Sequence, residues 1–289
     1  MDLPLWFIFA LLAAIFSGLN NFFKKVSAEN KNDSKVVAFY FNLFSTIIAF
    51  VIFLIFSDKN LRLDLVFYGA VAGVSIAHVF NVIFKVRGLK FLAASTMFVA
   101  LRFFMILSLF WVELFIFKSS FTLRDFMGIV IGFGALLLLI ESKSNKKQNL
   151  KKGFVAIAIC IGAMTIISTI RKVIAIEQYD QFTYYFFIFT FSLVISSLMS
   201  HRAIRDRSIF KNKNGAILYP ALQASTNFVA QMLGFFSLVY GANLVIYAKV
   251  SSYSLFIPII LSIIIYKEKV TLKKLIAFGL TIISLWLFL

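Results

Sequence analysis

The chain has 289 residues, 61% of them hydrophobic and only 14% charged, with 37 Phe. That balance excludes a soluble domain, which needs far more polar surface, and reads as a polytopic membrane protein. The net charge of +17 does not point to nucleic acid, because Lys and Arg gather in short gaps between apolar runs, where such charges set topology.

Taken in order, apolar runs predict ten spans: 3–23, 36–56, 65–84, 91–117, 126–140, 153–170, 182–199, 216–239, 244–266 and 272–289. The first has no basic flank before it, Asp2 being the only charge there, so it reads as a helix and not a cleaved signal. The fourth carries Arg102 near its middle and Glu113 eleven residues on. Eleven residues make about three turns, which puts both charges on nearly one face, roughly 16 Å apart. A charge at bilayer depth costs about 2.5–3.5 kcal/mol, so such residues should face a cavity or a protein interior.

The long polar break Glu141–Lys152 divides the chain into two sets of five spans. We expect an all-α integral membrane protein of ten transmembrane helices in two inverted five-helix repeats: 1–141, a basic linker at 142–152, and 153–289. An offset of 149 lays Thr122-Leu123-Arg124 on Thr271-Leu272-Lys273 and Ala93 on Ala242, and Lys24-Lys25-Val26 resembles Arg171-Lys172-Val173 at 147. Five is odd, so the second copy should be inverted. Alternate loops agree, with 21 Lys and Arg on one face and 6 on the other. The positive-inside rule then puts the rich face in the cytoplasm and both termini outside. Lys24, Lys25 and the loop cations read as topology signals.

Local motifs carry a family resemblance. The segment from Gly88 to Ser95 resembles the join between the third and fourth helices of EamA-type members of the drug/metabolite transporter superfamily. Pro258 and the turn Tyr266–Leu272, with Glu268 ending the ninth helix, resemble that family's second-half pattern, whereas Leu109 and Ser119 stand at the equivalent first-half positions. The resemblance implies an inverted-repeat bundle around a central cavity, and secondary transport of a small metabolite, often as an exporter.

Polar residues within the spans nominate the site. His78, Asn81 and Lys85 share one helical face, and Gln223, Asn227 and Gln231 share another. The 149 offset lays His78 on Asn227 and Arg102 on Ser251. The bland alternative is interhelical hydrogen bonding, worth about 0.6 kcal/mol each, and it suits Asn20, Asn21, Tyr40, Asn42 and Gln223 best. Candidate substrate-binding residues are Arg102, Lys249, His78, Asn227, Gln231 and Glu113. Their net charge favours a carboxylate or phosphate, as in an amino acid or organic anion. His78 and Glu113 are the candidates for a coupling proton.

Walker, HExxH and glycine-rich phosphate motifs are absent from the sequence, and two His and one Cys leave little for metal or nucleophilic chemistry. No cofactor, metal or enzymatic activity is expected. The expected function is secondary transport in the cell (inner) membrane, with the lipid bilayer, a small metabolite, a proton and a second copy of the chain as candidate partners. The rivals are a non-transporting membrane scaffold and a membrane enzyme built on His78 and Glu113.

Overall fold

The computed structural model describes residues 4–30, 32–57, 64–92, 94–138, 150–206, 215–257, 260–261 and 272–287. Regular structure among them is entirely helical. The helices are α1 Leu5–Glu29, α2 Ser34–Phe56, α3 Leu65–Leu89, α4 Ala94–Phe115, α5 Leu123–Leu138, α6 Leu150–Ile176, α7 Gln181–Met199, the short α8 His201–Arg205, α9 Leu218–Val239, α10 Leu244–Ser252 and α11 Leu272–Trp286.

Polar side chains fix where helices begin. Asp33, Asp64, Asp180 and Asn243 each accept a first-turn backbone N–H, at 2.8, 2.9, 2.8 and 2.8 Å, and so start α2, α3, α7 and α10. Gly241, at φ +96°, takes the left-handed turn that joins α9 to α10. Among the described residues, five helices are long and apolar enough to cross a membrane: α1, α2, α3, α6 and α7. Helices α4 and α9, of 22 residues each, rise about 33 Å and are equally long. Leu54, Ile55, Phe115 and Ile282 turn outward, as a lipid-facing surface requires.

Packing joins distant parts of the chain. The most extensive contacts run between α1 and α9 and between α3 and α6. Helix α2 packs on α7, and α5 on α11. Then α2 meets α9 as α3 meets α7, and α4 meets α6 as α1 meets α10.

Several boundaries differ from the sequence expectation; α3, for one, runs five residues past Phe84 to Leu89 and includes buried Lys85. Helix α1 continues six residues past Phe23, and α6 continues six past Ile170. Both apolar runs stop at a cation, and both helices carry that cation inward. The ninth run is not one straight helix: α10 gives way after Ser252 to a 3₁₀ turn, Tyr253–Leu255. Pro258, Tyr266–Thr271 and linker residues 142–149 lie outside the described residues; 150–152 open α6.

Candidate functional site: a cationic cavity between the helices

A cavity of about 100 Å³ lies where α1, α3, α4, α6, α9 and α10 converge. Each helix contributes polar groups at helical spacing. Helix α1 brings Ser17, Asn20, Asn21 and Lys24, and α3 brings His78, Asn81 and Lys85. Arg102 enters from α4, Ser168 and Arg171 from α6, Asn227 and Gln231 from α9, and Tyr247 and Ser251 from α10.

Arg102 is held by the tightened part of the ninth span. Its Nη1 donates to Ser251 Oγ at 3.0 Å and its Nη2 to Ser254 Oγ at 3.2 Å. Ser251 lies in the last turn of α10 and Ser254 in the 3₁₀ turn that follows; residues three apart share one side of a helix, so both hydroxyls meet one guanidinium fork. Gly18 of α1 packs on this turn: a Cβ there would stand 2.7 Å from the Ser254 carbonyl oxygen.

Three more cations reach the cavity. Arg171, 6% exposed, gives Nη2 to Gln231 Oε1, while its Nε has no protein partner among the described residues. Lys85, 7% exposed, reaches only the Met164 sulfur among the described residues, at 3.7 Å, a weak acceptor. Lys24, 4% exposed, lies 5.8 Å above the Phe41 ring. Among the described residues, no Asp or Glu lines the cavity. Asn20 Nδ2 donates to Asn227 Oδ1 at 3.0 Å, which leaves Asn20 Oδ1 and Asn227 Nδ2 free of protein partners among the described residues. His78 sits between the rings of Phe41 and Phe189, at 5.6 and 5.4 Å, with Nε2 likewise unpartnered.

Thus Arg102, His78, Asn227 and Gln231 are brought together, and Lys249 and Glu113 are placed elsewhere. Glu113 is fully buried and saturated. Lys172 Nζ donates to its two oxygens at 2.7 and 3.0 Å, the Leu244 N–H donates at 2.6 Å, and the Ser119 hydroxyl completes the set. Arg102 and Glu113 do share the face of α4 that meets α10. They engage opposite ends of that helix, so Glu113 ties helix ends and stays out of the cavity. His78 and Glu113 therefore do not form a working pair. Lys249 lies on another face of α10 from Ser251. It is 1% exposed, donates to the Ile129 carbonyl at 3.4 Å, and lies over the Phe133 ring. Gly132 leaves space for its ammonium, since a Cβ there would fall 1.4 Å from Nζ.

Lys24 and Arg171 were the residues the sequence reading assigned to loops. Their motif match at the 147 offset was the available signal: both end an apolar run and both continue a helix. With Lys24 and Lys85 taken from the rich face and Arg171 and Lys172 from the poor one, the loop contrast sharpens from 21 against 6 to 19 against 4. Among the described residues, no group of three His, Cys, Asp or Glu side chains forms a metal site.

Residues 4–141 match the EamA-like transporter family, which belongs to the drug/metabolite transporter superfamily. The match covers the first set of helices and implies a multi-pass membrane transporter of the drug/metabolite type. No curated protein matches the chain. A solved crystal structure of a protein, 13% identical, aligns over 96% of this chain and 97% of its own with a TM-score of 0.71. At that identity the likeness speaks for the fold alone.

Proposed function

From an EamA-like first half and a cationic cavity, we propose a secondary active transporter that exports a small anionic metabolite by alternating access. The single observation that carries the substrate charge is the lining: Lys24, Lys85, Arg102 and Arg171, with no carboxylate among them. The sequence nominated a weaker positive site, with Glu113 offsetting Arg102 and Lys249. The present set is more cationic, and an anion suits it better than a cation.

Ten spans in two inverted halves are part of the proposal. The packing supports it. If α1–α5 correspond to α6, α7, α9, α10 and α11, then α1 on α9 mirrors α3 on α6, and α2 on α9 mirrors α3 on α7. Pairs α2 with α7 and α5 with α11 are their own mirrors. The charge contrast supports termini outside a cell (inner) membrane. His78 is the cavity's candidate for a coupling proton, and the energy source is an ion or solute gradient.

A scaffold role predicts polar residues bonded to one another with no space between them. The unpartnered atoms of Asn20, His78, Asn227 and Arg171 around the cavity favour transport. The test is uptake and efflux in proteoliposomes with labelled amino acids and organic anions, with and without a pH gradient. Movement of one compound that depends on Arg102 supports the reading, and its independence from Arg102 sinks the site.

A further inference from the structure

We propose that the substrate is an organic dianion, with one acidic group held at each of two separate cationic poles. This rests on the transport reading and narrows its substrate class.

Two helices mark the separation of the poles independently. On α9, Gln223 donates to the Phe23 carbonyl next to Lys24 at 3.3 Å, and Gln231 receives Arg171 eight residues on. Eight residues rise about 12 Å. On α6, Met164 receives Lys85, and Arg171 follows seven residues on, a rise of about 10 Å. Lys24 and Lys85 therefore sit toward one end and Arg171 toward the other.

Each pole offers unspent donors. Among the described residues, Lys85 meets only a thioether, Lys24 only an aromatic face, and Arg171 keeps Nε free of protein partners. Arg102 differs, since two serine hydroxyls engage it. A monoanion neutralises one pole and leaves the other uncompensated. A zwitterionic amino acid places its ammonium against cations. A ligand acidic at both ends satisfies both poles. A dicarboxylate has this chemistry, and so does a phosphate ester that also carries a carboxylate at its far end.

The test uses the purified full-length protein, with counterflow in proteoliposomes and thermal unfolding in detergent. The probes are succinate and glutarate as dianions with an acid at each end, lactate as monoanion and alanine as zwitterion. At least one dianion should exchange tenfold or more faster than lactate and alanine, and should raise the unfolding midpoint. Arg171→Gln should remove about tenfold of that flux and the midpoint rise, whereas Lys25→Gln, outside the cavity, should leave both. If Arg171→Gln is not recovered folded, Lys85→Met tests the other pole in the same way. Lactate or alanine matching both dianions, or dianion flux indifferent to either pole, overturns the proposal and leaves a transporter of another class. Dianions that stabilise the protein but never move uphold the ligand class and overturn transport. Dianions that neither bind nor move overturn the dianion assignment.

Discussion

Arg102 and Ser251 are 149 residues apart in the chain and 3.0 Å apart in the fold. That separation equals the offset at which the two sequence halves align. In an inverted repeat, a residue and its counterpart touch only near the axis that relates the halves. Under the inverted repeat we propose, this contact would mark where that axis passes, at the wall of the cavity.

Arg102→Ala should abolish transport while expression and folding persist. Ser251→Ala should cost less, about ten- to a hundredfold, because Ser254 still receives the guanidinium. A hydrogen bond to a charged group is worth about 1.5–3 kcal/mol. Proteoliposome flux normalised to reconstituted protein measures both, and full transport by Arg102→Ala would remove this residue from the site.

Glu113→Ala should destabilise the protein by about 3–5 kcal/mol, because it strands Lys172 and the Leu244 amide together. Glu113→Gln keeps the amide's acceptor and should cost less. Denaturant unfolding in detergent separates the two. Equal losses would mean that the charge on Glu113 adds nothing to the fold.

Gly18→Ala should cost about 1–3 kcal/mol by overpacking. The new methyl would meet Ile257 at 2.5 Å and the Ser254 carbonyl oxygen at 2.7 Å, and a carbonyl is harder to displace than a side-chain end. The same change should loosen the hold of Ser254 on Arg102, so flux should fall with stability. A variant as stable as the parent would refute this close approach of α1.

Orientation can be read with cysteine labels. The native Cys160 is buried, so Cys160→Ala gives a clean background. A cysteine at Arg205 should react with an impermeant maleimide only from the cytoplasmic side, and one at Ser120 only from outside. The reverse pattern would invert the charge-based assignment.

The helices were largely legible in the sequence because a bilayer span announces itself by length and hydropathy. Its ends were less so. Reading stopped α1 at Phe23 and α6 at Ile170, since the next residue is a cation in each case. Those cations are the ones that reach the cavity. Arg102, His78, Asn227 and Gln231 were legible because each interrupts an apolar run in mid-span. Lys249 interrupts one too, but a single helix presents several faces, and hydropathy does not say which one a polar residue takes. Glu113 met partners on three other segments, which no local pattern could reveal.

Neither set of helices has a complete core of its own, because α1 packs chiefly on α9 and α3 on α6. This bears on how the protein is made. Some 190 residues separate the end of α1 from the start of α9. At about 5–20 residues per second, α1 waits roughly 10–40 s for its partner to be synthesised. During that interval Asn20 and Lys24 stand in the membrane without the neighbours that later shelter them. The ribosome's pace, and whatever attends the growing chain at the insertion site, thus become conditions for assembling the cavity.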